Sequence, residues 1–247
     1  MKISEDFLSE TTLSALAISV GFALSATSAD ALTVSFEASS SGTSTGSLTI
    51  ADGDPLDGTG NSTPDGSVGS LSSFTVGGFT VNGFNAVALE TTTASFLQTT
   101  QLRFSGGGIG ETLTVTTADI NFSAGANAPG DSIIKYSLGG SQLNGTISGS
   151  GTVDDGTTVF TSASLAFDTT GSTGTGAYSG NDTSTSVVSS PFDMTTTLIV
   201  GPVTADQVTT ADNTLKTTAI VPLPAGGLLL LTALGGVALL RGRRRGA

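Results

Sequence analysis

The stretch FTVGGFTVNGF, residues 74–84, indicates the fold class more clearly than any other part of the chain. The triplet Phe-Thr-Val occurs on both sides of Gly77-Gly78. Asn82-Gly83 follows, a pair that favours the tight turn of a β-hairpin. Earlier in the chain, LTVSFEAS from Leu32 alternates apolar and polar residues, which is typical of a strand buried on one face. Both stretches predict short strands joined by tight turns.

The same signals recur between residues 32 and 220. Gly, Thr, Ser and Val are abundant there, a composition that disfavours helices and suits strands. Residues 86–104 lack Gly and Pro and could hold a turn or two of helix, but three consecutive β-branched Thr residues favour strands. Residues 202–217 fit either a last strand with a loop or a tether. Further strands are predicted at residues 47–50, 101–104, 112–117, 119–123, 132–137, 145–148, 157–167, 185–189, 192–200 and 215–221.

The amino-acid composition excludes several kinds of chemistry. The 247 residues include no Cys, His or Trp, and the net charge is −12. Without Cys and His there can be no disulfide, no thiolate or imidazole metal site, and no Ser–His–Asp triad. Only three basic residues, Arg103, Lys135 and Lys216, lie between residues 32 and 220, so nucleic acid is not an expected partner.

Residues 1–31 have the features of a secretory signal peptide. An apolar stretch runs from Leu13 to Leu24, and small residues follow it. Ala29 and Ala31 form an A-x-A pattern, so we expect cleavage after Ala31. The alternative is a buried N-terminal helix, because Lys2 is the only basic residue before the apolar stretch. The apolar tail at the other end of the chain favours export.

The C-terminal tail combines three parts in sequence: VPLPA, an uncharged apolar stretch and an arginine cluster. As a helix, the 18 residues from Leu223 to Leu240 would be about 27 Å long, just enough for a hydrocarbon core of about 30 Å. The positive-inside rule places the arginine cluster in the cytoplasm and the rest of the chain on the far side of the membrane. The cluster consists of Arg241, Arg243, Arg244 and Arg245.

This tail resembles the VPLPA-type C-terminal sorting signal, a variant of the PEP-CTERM signal of Gram-negative bacteria. The motif residues are Val221, Pro222, Leu223, Pro224 and Ala225. The resemblance implies that an exosortase, an integral-membrane cysteine protease or transpeptidase, recognises the motif and removes the tail. It also implies contact with the secretion machinery, a transient stay in the inner membrane, and a final location at the cell surface or in the exopolysaccharide matrix. It covers about 27 residues and does not identify what residues 32–220 bind.

The fold class that follows is all-β. We expect a single antiparallel β-sandwich or jelly-roll-like domain, flanked by an N-terminal signal helix and a C-terminal transmembrane helix. The expected boundaries are a signal peptide at 1–31, a Ser/Thr/Gly-rich β domain at 32–205, a last strand or linker at 206–220, and the sorting signal at 221–247.

The most site-like stretch of the β region is ADGDPLDGTGNSTPDG, residues 51–66. Asp52, Asp54 and Asp57 lie close together in a Gly- and Pro-rich loop, and carboxylate oxygens are the ligands that Ca²⁺ prefers. The spacing does not match an EF-hand. Two alternatives therefore stay open: a calcium site, or an acidic surface loop whose side chains stabilise turns. No other cofactor is expected.

The sequence is consistent with three alternative functions of the β domain. The first is that of an exported, non-enzymatic surface or matrix protein, associated with exopolysaccharide. The second is a carbohydrate- or calcium-binding module, which exposed Phe or Tyr beside Asp or Asn on a strand face would favour. The third is a hydrolase using carboxylates such as Glu37, Glu90 and Glu111, but a pair of acids can be found in any chain of this length. We expect that the protein is not an enzyme.

Overall fold

The computed structural model describes residues 32–58, 64–70, 72–108, 110–123, 131–141, 145–168, 176–201 and 209–220. Every regular element in these residues is a β-strand. The strands are β1 Thr33–Ser40, β2 Thr43–Ala51, β3 Ser67–Ser70, β4 Phe74–Val76, β5 Phe79–Glu90, β6 Ala94–Gly106, β7 Glu111–Phe122, β8 Asp131–Ser141, β9 Thr146–Asp154, β10 Val159–Thr161, β11 Leu165–Asp168, β12 Ala177–Val187, β13 Phe192–Val200 and β14 Thr209–Ala219. Within these ranges, no helix is long and apolar enough to cross a bilayer.

The strands form two antiparallel sheets. Sheet A has the order β10-β9-β13-β7-β1-β2, with β11 also paired to β9. Sheet B has the order β12-β8-β14-β6-β5-β3, with β4 paired to β5. From β6 to β9, and again from β12 to β14, successive strands belong to alternate sheets, so the chain repeatedly passes from one sheet to the other. The all-β prediction with antiparallel sheets is confirmed.

A single hydrophobic core contains inward-facing side chains of both sheets. Alternate residues of each strand are buried, as the period of two in a β-strand requires. Phe36 of sheet A meets Phe74 and Phe84 of sheet B edge to face, with ring centroids 5.1 Å apart in each case. Aromatic side chains bury more area than any other type, so this cluster is a major contact between the sheets.

Some of the many glycines make room for buried tyrosine. Tyr136 of β8 is fully buried, and burial raises the pKa of its hydroxyl. Gly149 and Gly151 of β9 lie against it. A Cβ atom at Gly149 would lie 2.2 Å from the Tyr136 hydroxyl oxygen, and one at Gly151 would lie 3.0 Å from the Tyr136 ring. Packing, and not only turn formation, therefore accounts for the glycine content.

Glu111 connects the two sheets at one end of the domain. Its buried carboxylate accepts hydrogen bonds from the Thr45 hydroxyl of β2 and from the N–H groups of Gly78 and Gly108. These bonds, the one from Thr45 most of all, hold the pKa of Glu111 below its usual range. A Cβ atom on Gly77 or Gly78 would lie 2.4 Å from a carboxylate oxygen, so the turn between β4 and β5 requires glycine at both positions.

The position of the predicted hairpin turn was wrong in one respect. The chain reverses at Gly77-Gly78, between β4 and β5, whereas Asn82-Gly83 lies inside β5. Val81 and Phe84 are both buried although they are three residues apart, so the strand takes an extra residue at this point instead of turning.

Other segments are described by the structure as follows. Residues 86–104 form the end of β5 and most of β6, with no helix. Residues 112–123, predicted as two strands, belong to β7 up to Phe122, and residues 157–167 are divided between β10 and β11. From Thr209, the segment predicted as a last strand or linker forms β14, between β8 and β6 in the middle of sheet B. The signal peptide, the VPLPA motif, the apolar tail and the arginine cluster lie outside the described residues.

Candidate functional site

The outer faces of the two sheets differ in chemistry. On sheet A, one row across five neighbouring strands consists of hydroxyl side chains: Thr49, Ser35, Thr116, Thr197 and Ser150. The outer face of sheet B also carries hydroxyl side chains, such as Thr210 and Thr214, and adds amides and basic groups. Because these groups offer stronger and more directional hydrogen bonds, sheet B carries the candidate site.

A cleft of about 380 Å³ lies on this face of sheet B. Four polar side chains from two adjacent strands line it: Asn82 and Asn85 of β5, and Gln101 and Arg103 of β6. The remaining wall residues are Gly58, Gly69, Ser70, Gly83 and Phe84.

The four polar side chains of the cleft make no hydrogen bond or ion pair with the rest of the described chain. Each amide offers two donors and one acceptor oxygen, and the guanidinium of Arg103 offers a planar fork of donors. Asn82, Gln101 and Arg103 are exposed to solvent, and Asn85 is half-buried, so all four can reach a ligand in the cleft. A few convergent polar groups of this kind are a feature of ligand-binding clefts.

Two bulges bring these side chains together. Val81 pairs with Phe104 and Gly83 with Arg103, so Asn82 is an extra residue in β5. The next pair along the ladder joins Asn85 to Thr100, so β6 also contains an extra residue. That residue is Gln101, whose φ of +56° lies in the left-handed region. Bulges of this kind redirect side chains and are common beside binding sites.

Asp212 of β14 supports the bulge in β6. The Gln101 N–H, displaced from the regular ladder, donates to Asp212 Oδ1 at 2.7 Å. Along the same strand pair, Ala211 is opposite Leu102 and Asn213 is opposite Thr99. Asp212 is therefore the single residue of β14 at the position where β6 has one residue more. The carboxylate therefore stabilises the backbone of the cleft and leaves the Gln101 side chain available.

Sheet A contains a bulge of the same design. Asn121 of β7 has a φ of +66°, and its N–H donates to Asp193 Oδ1 of β13 at 3.1 Å. Asn is one of the few residues that enter the left-handed region readily, whereas Gln is not. The β6 bulge therefore stores additional strain at Gln101, whose side chain lines the cleft. Strain retained at such a position is typical of a functional site.

The three calcium candidates stabilise backbone turns. Within the described residues, no group of three or more Asp, Glu, His or Cys side chains is arranged to hold a metal ion, and the calcium site stays a prediction. Each carboxylate accepts backbone N–H groups: Asp52 those of Asp65 and Gly66, Asp54 that of Leu56, and Asp57 that of Gly69. Because Gly69 belongs to the wall of the cleft, the bond to Asp57 also fixes that wall.

Asp119 of β7 is a buried acidic group with an altered titration. It is only 3% exposed, and burial raises the pKa of its carboxyl to about 6. The N–H of Ile120 opposes this shift by donating to the carboxylate, and the negative charges of Asp52, Asp193 and Glu90 add to it. A raised pKa is a feature of general acids, but Asp119 does not line the cleft.

The three Glu side chains do not form a catalytic pair at the cleft. Glu37 is exposed on the outer face of sheet A, Glu90 accepts hydrogen bonds from Ser95 and Ser123, and Glu111 connects the two sheets. None of them is among the cleft residues. The four cleft side chains are neutral amides and a cation, a set suited to binding rather than to proton transfer.

The aromatic residues also differ from the expected platform. Tyr136 and Tyr178 are buried, and Phe84 in the cleft wall is only 4% exposed. The Asn residues expected on a strand face are present, but within the described chain no exposed Phe or Tyr accompanies them in the cleft. Phe96, on the same outer face, is covered by Lys216, whose Nζ lies 4.8 Å from the ring centroid.

No family model matches the chain, and no curated protein matches it. Among solved structures, TmCBM61 in complex with β-1,4-galactotriose is similar, with 11% identity, a TM-score of 0.28, and coverage of 62% of this chain and 88% of that chain. The enzymatically active domain of bacteriophage CBA120 tailspike protein 4 has 9% identity, a TM-score of 0.28, and coverage of 55% and 19%. The N-terminal cellulose-binding domain of Cellulomonas fimi β-1,4-glucanase C has 14% identity, a TM-score of 0.26, and coverage of 56% and 85%. TM-scores at this level assign neither a family nor a ligand to the chain.

Replacing Gln101 with Gly should raise stability while removing a cleft side chain. The left-handed conformation costs a residue other than Gly about 1–2 kcal/mol, and the greater freedom of Gly in the unfolded chain offsets part of this. We expect Q101G to increase the free energy of unfolding by about 0.5–1 kcal/mol in urea denaturation. The matched variant N121G should gain less, because Asn tolerates this region. A loss of stability in Q101G would contradict the assignment of strain to Gln101.

Replacing Asp119 with Asn should stabilise the protein in a pH-dependent way. The pKa of Asp119 is about 6 in the folded state and near 4 in an unfolded chain, so the folded state binds the extra proton between these values. The wild type therefore loses stability as pH rises from 4 to 6. We expect D119N to match the wild type below pH 4 and to exceed it by about 2–3 kcal/mol above pH 6.

The measurement for Asp119 is urea denaturation across pH 3.5 to 7.5. Glu37→Gln, which removes an exposed negative charge, is the control and should change stability by less than about 0.5 kcal/mol at any pH. A D119N profile parallel to that of the wild type would show that burial does not alter the titration of Asp119.

Proposed function

We propose that this protein is an exported, non-enzymatic polysaccharide-binding module, and that its ligand lies in the cleft on the outer face of sheet B. The observation that carries the proposal is the convergence of Asn82, Asn85, Gln101 and Arg103 on one cleft without partners among the described residues. The antiparallel two-sheet scaffold supplies the rigid strands on which they are held.

A sugar is the ligand class that suits these groups best. Neighbouring hydroxyls on a pyranose ring present donors and acceptors together. An amide side chain can donate a hydrogen bond to one hydroxyl and accept one from the other. The cleft lies within the usual size range of small-ligand sites, at its lower end. The lining of the cleft favours a polar ligand, since its only large apolar residue, Phe84, is almost fully buried.

The two ends of the sequence support an extracellular place of action. The A-x-A pattern at Ala29 and Ala31 fits secretion, and the tail that begins at Val221 resembles a VPLPA-type sorting signal. We propose that an exosortase removes the tail after transient anchoring in the inner membrane, and that the β domain then acts at the cell surface or in the exopolysaccharide matrix. A protein sent to a polysaccharide layer would use a sugar-binding cleft there.

Binding should depend on the cleft side chains. A glycan array identifies the ligand of the full chain, and isothermal titration with that glycan measures affinity. We expect Asn85→Ala and Arg103→Ala each to weaken binding by about fivefold or more, because each removes at least one hydrogen bond worth about 1 kcal/mol. Asn181→Ala, which removes an exposed amide from β12 at the other edge of sheet B, is the matched control. Equal losses in all three variants would show that the ligand binds elsewhere.

Processing of the tail is tested in the native host by intact-mass analysis and membrane fractionation. The mature wild-type protein should lack residues 1–31 and the apolar tail, and it should leave the inner membrane. Replacement of the arginine cluster by Ser should abolish retention at the stop-transfer step and reduce correct processing. A mature wild-type protein that keeps residues 226–247 and stays in the inner membrane would show that the tail is a permanent anchor.

A further inference from the structure

The basic residues of the β domain are confined to one face. Arg103 of β6, Lys135 of β8 and Lys216 of β14 are the only basic residues between positions 32 and 220, in a chain with 20 acidic residues. All three lie on the outer face of sheet B, which also contains the cleft. Asp131 and Asp212 share this face, and Asp212 accepts a hydrogen bond from the Gln101 N–H. The register of sheet B therefore places every basic group of the β domain on the face of the proposed sugar site.

Lys135 and Lys216 are directly opposite each other in the ladder between β8 and β14. Like charges at opposed positions of an antiparallel pair repel and destabilise the sheet. Neither lysine forms an ion pair with another described residue, although acidic residues are abundant in the chain. The ring of Phe96 lies under Lys216 Nζ and holds it over the outer face through a cation–π contact. The protein thus maintains an uncompensated pair of positive charges.

The lysine pair and Arg103 are separated along the strand direction. Thr210 of β14 pairs with Arg103, and Lys216 lies six residues further along the same strand. Six residues of a strand span about 20 Å. Between the two positions the outward side chains of β14 are Asp212 and Thr214. An extended polymer lying along the strands would therefore meet a guanidinium at the cleft and two ammonium groups farther on.

We infer that the polysaccharide is acidic, and that Arg103 and the Lys135–Lys216 pair bind its carboxylate groups. This inference rests on the proposed function, because the amides of the cleft would bind the hydroxyls of the same polymer. The planar fork of Arg matches a carboxylate in two parallel hydrogen bonds, and two lysines suit a carboxylate shared between them. A nucleic acid or an anionic bilayer would present a broad negative surface to a chain of net charge −12, and three basic groups are too few to overcome the repulsion.

The test compares polygalacturonate, alginate and hyaluronate with the same polymers after chemical reduction of their carboxylates to alcohols. Binding to the full chain is measured at low salt by isothermal titration. We expect at least one acidic polymer to bind about tenfold or more tightly than its reduced form, and this preference to decline as salt is added. The double variant K135Q/K216Q should lose most of the preference, since two exposed charge pairs together account for about tenfold.

The matched control adds the same change of net charge to the other sheet. Ser44→Asp and Ser148→Asp, combined in one variant on the outer face of sheet A, should retain the preference for the acidic polymer. If this control loses the preference as fully as K135Q/K216Q does, net charge explains the binding and the inference is wrong. Free galacturonic acid is the competitor that separates a polymer site from a small-anion site. Displacement of the polymer by millimolar monomer would overturn the polymer assignment.

Failure of the inference and failure of the proposed function give different results. Equal binding of acidic and reduced polymers, or binding of a neutral glycan alone, would overturn the inference and leave the sugar-binding cleft in place. Absence of binding to any glycan, acidic or neutral, would overturn both. A second measurement does not require a ligand: without polymer at low salt, K135Q should raise the melting temperature by about 1–3 °C by removing the repulsion. A fall in melting temperature would contradict an uncompensated lysine pair.

Discussion

The bulge in β6 shifts the alternation of buried and exposed side chains by one residue, and the cleft depends on this shift. Before the bulge, the buried side chains of this strand stand at odd positions, and after it they stand at even positions, Leu102 and Phe104. A regular strand would send every residue after Thr100 to the opposite face, because the side-chain period is two. The extra residue at Gln101 restores Leu102 and Phe104 to the core and turns Arg103 outward. Core packing and presentation of the site are therefore consequences of one backbone irregularity.

The energies explain why the strained conformation persists. Burial of Leu102 and Phe104 contributes about 1.5–3 kcal/mol each, whereas the left-handed conformation of Gln101 costs about 1–2 kcal/mol. The hydrogen bond from the Gln101 N–H to Asp212 recovers part of that cost. The regular alternative would also bury the Arg103 guanidinium without a partner, which costs far more. The balance favours the bulge by several kcal/mol even though its central residue is poorly suited to it.

Much of the fold could be predicted from the sequence, because alternation over five to eight residues marks most strands independently. The sequence does not mark β3 or the first part of β12 in this way, because their residues are mostly small or polar. The bulges left a signal too: the buried positions change parity between Val81 and Phe84, between Leu97 and Leu102, and between Val115 and Phe122. Short-window alternation does not detect such changes, so the sequence predicts a turn at Asn82-Gly83, where the structure has a bulge. The partner of the β6 bulge could not be predicted, since Asp212 is 111 residues from Gln101 and only the register of β14 brings it there.

The acidity of the chain has a structural explanation that alters what it implies about ligands. Asp193 and Asp212 bind the N–H groups of bulges, Asp52, Asp54 and Asp57 bind those of turns, and Glu111 joins the sheets. Carboxylates used in this way are fixed to the backbone, so the net charge of the chain describes how its turns and bulges are held and not what a particular face attracts. A ligand responds to the local field, which falls off within about 10 Å at moderate salt. On the outer face of sheet B, all three basic groups of the domain lie together with Asp131 and Asp212, so the charge there is far less negative than that of the chain as a whole.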